Sequence, residues 1–176
     1  MNATHIHLLL NHFPVIGTLI GSLLLLWGII KKQHNTRSNA AALLAVMAII
    51  AVPVFLTGEP AEESVEKLPG VSEQMIHLHE EAAEIAFWLM GITGFFSLLA
   101  LFMAWRKQKM TNTVFILAFV MSAISFAAMA RTGYYGGQIR HSEISSGTGT
   151  EQQNEKNGEK DSGEKEKDKK GEKDDD

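Results

Sequence analysis

Polar and apolar positions occur in long blocks along this chain, and four of the blocks are apolar runs of membrane-spanning length. The runs are residues 6–30, 40–56, 85–105 and 113–130. None contains Asp, Glu, Lys or Arg, and the first is interrupted by Asn11, by histidines and by small hydroxyl residues. A bilayer core takes about 20 such residues per helix, and core helices of soluble proteins rarely run this long without a charge. The pattern predicts an all-α fold, a four-helix transmembrane bundle in a lipid bilayer.

The third apolar run is expected to belong to a helix that extends well beyond the membrane. Ser72 is a favourable N-cap and Glu73 suits a first helical turn. A helix from about residue 73 to residue 106 would be roughly 50 Å long, which exceeds the hydrocarbon core of about 30 Å. The outer part of this helix should therefore stand outside the membrane, beside a short amphipathic helix predicted over 62–68.

The charges of the connecting segments orient the four spans. Segments 31–39 and 106–112 each hold three basic residues and no acid, whereas segment 57–84 holds eight glutamates and a single lysine. Because basic connections remain in the cytoplasm, we expect the long second connection and both termini on the outer side of the membrane.

The mean hydropathy of +0.01 and the net charge of −4 combine two different parts. Residues 151–176 hold eleven acids and seven lysines, which account for the whole net charge. Segment 142–176 has no aromatic residue and is too polar to bury a core, so it is predicted to be a disordered acidic tail. Residues 1–141 then form the membrane bundle.

Composition excludes several functions. The chain has no cysteine, which rules out disulfides, thiolate metal sites and covalently attached c-type haem. It has no long basic stripe, so nucleic acid is not an expected partner. Any cofactor must therefore be held by other side chains, of which histidine is the richest source.

Six of the seven histidines are predicted on the outer side, and helical geometry divides them. Side chains three and four positions apart share a helix face. His12 has apolar neighbours at these positions and is predicted to point along the apolar side, as is His79. His7 and His77 have polar neighbours and are predicted to face solvent. A polar group at bundle depth usually marks a site or a buried partner.

Haem b is one interpretation of the inward histidines. His12 and His79, from the first and third spans, would be axial ligands, since neutral imidazole suits haem iron. Arg131 or Arg140 would pair with the haem propionates.

A metal ion is the second interpretation. Imidazole together with carboxylate suits Zn or Cu, and the candidate ligands are His5, His12, His79 and a carboxylate from Glu80 or Glu84.

The third interpretation is structural, with the inward histidines only hydrogen-bonding across helices to Asn11, Thr57 or Tyr134.

Four short segments resemble a family of small bacterial four-helix membrane proteins, a domain of unknown function with a His…His-Phe-Pro start and a late Gly-Gly motif. The segments are HLLLNHFPVIG at 7–17, TGEP at 57–60, HLHE at 77–80 and GGQIRH at 136–141. The likeness covers roughly residues 4–142, although relatives often have His-Pro where this chain has His7-Leu8. The resemblance implies a bacterial inner-membrane protein with four spans. Some relatives are associated with cytochrome-like modules, which favours a redox role.

These observations predict a small redox-associated subunit of the inner membrane. Its outward histidines would hold haem b or a metal ion beside other membrane or redox subunits. The chain has no nucleophile elbow or kinase signature, so we do not expect it to be an enzyme by itself. The alternative is a structural or accessory subunit of a larger complex without a cofactor.

Overall fold

A computed structural model of the chain describes residues 3–66 and 68–139, and every regular element within them is a helix. The helices are α1 (Ala3–Leu10), α2 (His12–Ile30), α3 (His34–Leu56), α4 (Gly58–Glu63), α5 (Glu73–Trp105) and α6 (Thr111–Gln138). Among the described residues, four helical segments are long and apolar enough to cross a membrane, and α1 and α2 together form the first. The all-α four-helix prediction is confirmed, whereas the tail predicted over 142–176 lies outside the described residues.

The start of α5 agrees with its predicted capping chemistry. Ser72 Oγ accepts a hydrogen bond of 3.4 Å from the backbone N–H of Met75. The cap confirms the predicted start at Glu73 and the long continuous helix that follows it.

Two proline residues account for other boundaries. Pro14 has no N–H to donate to the carbonyl of Leu10, and the first span is interrupted by a turn at Asn11 in that place. The short helix predicted over 62–68 is wrong in position, because α4 covers Gly58–Glu63 instead. Pro60 fits there because proline is tolerated in the first turn of a helix.

The long helices form a ring in the order α2, α3, α5, α6, in which each packs against two neighbours. Leu23, Ile49 and Phe95 are among the large apolar side chains exposed on its outer surface, which lipid would cover. The ring interior combines many alanine, glycine, serine and threonine residues with a few large apolar side chains, among them Leu25, Leu44, Met90 and Phe115. Small side chains allow close backbone approach, a main source of helix association in lipid.

The glycine pair of the first span has the packing role that its spacing suggests. A Cβ atom added at Gly21 would lie 2.8 Å from Cδ2 of Leu44 on α3, and one added at Gly17 would overlap the Met47 side chain. The pair therefore packs α2 against α3 within one chain.

A layer of buried hydroxyl groups lies inside the ring, formed by Thr18, Ser22, Thr93, Ser97, Ser122 and Ser125. Ser22 Oγ–H donates to Ser122 Oγ at 2.8 Å and so joins α2 to α6. The hydroxyls of Thr93 and Ser125 are also 2.8 Å apart and join α5 to α6. Hydrogen bonds of this kind contribute about 0.6 kcal/mol each in membrane bundles.

The two helical hairpins, α2–α3 and α5–α6, repeat each other at a shift of 75 positions. The matched positions include Thr18 with Thr93, Ser22 with Ser97, Lys32 with Lys107, Gln33 with Gln108, Thr57 with Thr132 and Gly58 with Gly133. The order of the ring is unchanged when α2 is exchanged with α5 and α3 with α6. The two hairpins therefore occupy equivalent places in the ring.

The repeat extends to the backbone of the two hairpin connections. Lys32 and Lys107 both have left-handed backbone conformations, with φ of 54° and 52°. In each case the next residue donates its N–H to a carbonyl five positions earlier, Gln33 to Gly28 at 2.9 Å and Gln108 to Met103 at 3.0 Å. We call the bundle end formed by connections 31–33 and 106–110 the basic end, and the opposite end, which carries α1 and α4, the histidine end.

Candidate functional site

His7 is the histidine of α1 that faces the bundle. Its ring is half-buried, and its Nδ1 atom lies 3.1 Å from the carbonyl oxygen of Val54 and 3.4 Å from Thr57 Oγ1, both at the end of α3. A carbonyl oxygen can only accept, so Nδ1 carries the hydrogen and donates it to Val54. The prediction that His7 faces solvent is wrong.

His79 on α5 has the same arrangement with α6. It is half-buried, and its Nδ1–H donates to the carbonyl oxygen of Thr132 at 2.9 Å. Gly136, one turn further along α6, lies against the ring, since a Cβ atom there would be 3.0 Å from Nδ1 and 3.1 Å from Cε1. The predicted inward orientation of His79 is confirmed.

His7 and His79 both lie at the histidine end of the bundle, and their rings are held in the same way. Each Nδ1 is occupied by a main-chain carbonyl, and neither Nε2 has a hydrogen-bond partner among residues 3–66 and 68–139. When each ring is neutral with its hydrogen on Nδ1, the lone pair of each Nε2 is available for a ligand.

His12 does not face the bundle, so the predicted ligand pair of His12 and His79 is wrong. Its side chain is exposed, and its Nδ1–H donates only to the Leu8 carbonyl of its own helix at 3.0 Å. His5 is also exposed. His77 faces solvent as predicted, with Nδ1 3.6 Å from Glu81. Of the proposed axial pair His12 and His79, only His79 faces the bundle.

The error at His12 has a physical cause. The apolar neighbours Leu8 and Ile16 predict an interior position for His12, but their side chains are 56% and 53% exposed. In a membrane bundle the large apolar side chains face lipid and the small ones face other helices. His7 belongs to the small-residue side, since it precedes Pro14, Gly21 and Gly28 at intervals of seven residues.

A carboxyl pair lies at the same end of the bundle. Glu62 of α4 is half-buried and lies near Glu80 of α5. Partial burial raises the pKa of Glu62 to about 8, and the nearby carboxylates of Glu80 and Glu59 act in the same direction. Burial and like charge both favour the neutral form of the Glu62 carboxyl.

The remaining predicted ligands do not converge with His7 and His79. Glu84 is exposed. Arg131 is exposed too, with Nε and Nη2 each donating to Tyr135 Oη at 3.3 Å. Arg140 lies outside the described residues. Within residues 3–66 and 68–139, no group of three or more histidine and acidic side chains could hold a metal ion.

Sequence reasoning missed His7 and Glu62, and only the first had a visible signal. The seven-residue spacing of His7 with small residues indicates an interior position. For Glu62 no comparable signal exists, because its partner Glu80 is brought near only by the way α4 folds back over the bundle. Comparison with protein-family models, curated proteins and solved structures gives no match to this chain, so the family resemblance stays a prediction.

Proposed function

We propose that this chain is a small redox-associated membrane subunit in which His7 and His79 hold a transition-metal centre, either the iron of haem b or a single Zn or Cu ion. The observation that carries the proposal is the shared state of the two rings. Each is half-buried, each donates Nδ1–H to a carbonyl, and each keeps Nε2 free. Metal-ligating histidines are commonly oriented by such a bond from the other ring nitrogen.

The two imidazoles are a donor set of the kind that holds haem iron, because the porphyrin brings its own nitrogen ligands. Haem held by His7 and His79 would supply one-electron redox chemistry at this end of the bundle. A bare Zn or Cu ion would need further ligands from water or a partner subunit. Arg131 is exposed at the histidine end, and its guanidinium could exchange its bond to Tyr135 for a haem propionate.

The membrane environment is part of the proposal. Aromatic side chains are exposed near both ends, Trp27 and Trp105 at the basic end and Trp88 and Tyr134 towards the histidine end, as in the aromatic belts of membrane proteins. The basic end would face the cytoplasm of a bacterial cell. The histidine centre and both termini would then lie on the outer side of the inner membrane, available to other redox subunits.

Orientation can be tested directly because the chain has no native cysteine. Glu66→Cys and Lys109→Cys place single thiols at exposed positions beyond opposite ends of the bundle. In intact cells an impermeant maleimide should label the first and should reach the second only after permeabilisation. The reverse pattern would overturn the orientation.

Cofactor binding is tested on the full chain in mild detergent, titrated with haemin in one arm and with Zn²⁺ or Cu²⁺ in the other. We expect one equivalent to bind, with a Soret band in the haemin arm or a stoichiometric ion by elemental analysis. His7→Ala and His79→Ala should each weaken binding by at least about tenfold.

His12→Ala and His77→Ala are the matched controls, because both remove an exposed histidine from the same membrane spans as the candidate ligands. They should bind like the parent chain, and elution volume and thermal stability check that every variant is folded. If neither haemin nor a metal ion binds, the proposal of a transition-metal centre is overturned. An equal loss in all four variants would overturn the choice of His7 and His79.

A structural subunit without a cofactor is the second candidate, favoured by one observation. The two Nδ1 bonds tie α1 to the end of α3 and α5 to the end of α6. The histidines would then act only as helix clamps. His7→Gln and His79→Gln would distinguish the two functions, because an amide can still donate to a carbonyl while binding metal poorly.

A further inference from the structure

The basic end contains a cavity that the histidine centre does not use. It measures about 200 Å³ and is lined by Ile29, Lys32, Arg37, Asn112 and Ile116. Its wall therefore combines two cations and an amide with two branched apolar side chains. That combination suits an amphiphilic anion better than a metal ion or an apolar ligand.

The guanidinium of Arg37 is held in place and still has unused hydrogen-bond donors. Its Nη1 donates to Asn112 Oδ1, and its guanidinium carbon lies 5.5 Å from the centre of the Phe115 ring. Nη1 is the only guanidinium nitrogen with a hydrogen-bond acceptor within the described chain. A fixed guanidinium with unused N–H groups is a favourable donor for a phosphate oxygen.

Lys32 adds a second cation with a fixed backbone. Its left-handed conformation is maintained by its own N–H, which donates to Ile29 at 3.2 Å, and by the bond from Gln33 to Gly28. No acidic residue occurs in segments 31–39 or 106–112. The positive charge beside the cavity therefore has no carboxylate from its own segments to neutralise it.

The apolar wall indicates where the anion comes from. Ile116 is 47% exposed and Ile30, next to Ile29, is 64% exposed, so the cavity borders the surface that lipid would cover. A free phosphate ion would gain nothing from isoleucine. A phospholipid brings a phosphate for the cations and acyl chains for the outer surface.

We propose that this cavity binds the headgroup of an anionic phospholipid. Basic sites between transmembrane helices are suited to such headgroups. The lipid would bridge α2, α3 and α6 at the point where their ends meet, and the site does not depend on the presence of a cofactor at the opposite end.

The repeat provides a matched control for the test. Lys107 corresponds to Lys32, has the same backbone conformation and lies at the same end of the bundle, but it does not line the cavity. The full chain is delipidated in detergent, and native mass spectrometry then measures binding of phosphatidylglycerol and of phosphatidylcholine.

We expect one phosphatidylglycerol to bind with clear preference. Lys32→Gln should weaken it by about fivefold, the effect of one cation near a membrane surface, while Lys107→Gln should leave it unchanged. Ile116→Trp should also weaken binding because it fills the cavity without changing charge. Ile124→Trp, at another exposed position of α6, should not.

Three results would overturn the proposal. Equal losses in Lys32→Gln and Lys107→Gln would mean that headgroups bind the basic surface in general. Equal binding of the two lipids would exclude recognition of net negative charge. Displacement of the lipid by inorganic phosphate at modest excess would mean that the cavity takes a soluble anion.

Discussion

Ser97 on α5 corresponds to Ser22 on α2 in the repeat, yet their hydroxyl groups differ in hydrogen bonding. Ser22 Oγ–H donates to Ser122 Oγ at 2.8 Å. Ser97 is fully buried, and its hydroxyl has no partner within residues 3–66 and 68–139. The repeat explains the difference, because Met47 lies at the α3 position that corresponds to Ser122 on α6, and a thioether is a weak acceptor.

This difference predicts that replacing serine by alanine will affect the free energy of unfolding differently at the two positions. Ser22→Ala removes an interhelical bond and should lower the free energy of unfolding by about 0.6 kcal/mol. Ser97→Ala removes an unsatisfied buried hydroxyl and should leave that free energy unchanged or slightly raised. Unfolding in mixed micelles titrated with SDS measures both. An equal loss in the two variants would mean that Ser97 has a partner that the repeat does not explain.

Close packing at the basic end predicts a second contrast. A Cβ atom at Gly28 would lie 2.8 Å from Cγ and 2.9 Å from the backbone nitrogen of Arg37, and a backbone atom cannot move aside as a side chain can. Gly28→Ala should therefore cost about 1–3 kcal/mol of unfolding free energy.

Gly91→Ala is the control for that substitution. Gly91 also lies within a long helix, but a Cβ atom there would meet no atom within 4 Å. The substitution should be neutral or should stabilise by up to about 1 kcal/mol, because alanine favours helix. The same SDS titration compares the two, and a loss at Gly91 equal to that at Gly28 would contradict the packing argument.

The fold could be predicted from sequence because its main determinant is one-dimensional. Four charge-free runs specify four helices whatever their neighbours are, and Ser72 marks the start of α5 by local hydrogen bonding. Helix facing is harder, because it depends on whether lipid or protein covers a side. In water-soluble proteins the apolar face of a helix is buried, and that rule places His12 in the interior. Lipid reverses the rule, because it covers the apolar face of a membrane helix.

The hairpin repeat and the nearness of Glu62 to Glu80 can be found only when two distant segments of the chain are compared. The hairpin repeat is visible in the sequence only when residues 75 positions apart are compared, as with Thr18 and Thr93. The contact of Glu62 with Glu80 depends on the path of connection 57–72. No periodicity along either helix predicts that meeting.

The carboxyl pair predicts a pH dependence that one substitution should remove. The pKa of Glu62 rises on folding from about 4.5 to about 8, so the folded chain binds a proton that the unfolded chain has released between these values. The resulting stabilisation is fully present below about pH 4.5 and is lost as the pH rises towards 8. The thermal midpoint in detergent should therefore fall over this window.

Glu62→Gln should flatten that part of the pH profile. A glutamine side chain has nearly the same shape as glutamate but does not titrate. Glu63→Gln, at the exposed neighbouring position, should keep the slope of the parent chain. If Glu62→Gln and the parent chain have parallel profiles between pH 5 and pH 8, another group accounts for the dependence.

The contact between Gly136 and His79 gives the sharpest test of the histidine centre, because it alters a ligand without removing it. A Cβ atom at position 136 would be 3.0 Å from His79 Nδ1 and 3.1 Å from Cε1, so Gly136→Ala should push the ring away from the Thr132 carbonyl. Loss of such an orienting bond weakens metal binding by about tenfold or more. Gly137→Ala meets no atom within 4 Å and should bind haemin or metal like the parent chain. Equal affinities in the two variants would mean that the orientation of His79 does not matter, as expected for a bundle in which this histidine only clamps α5 to α6.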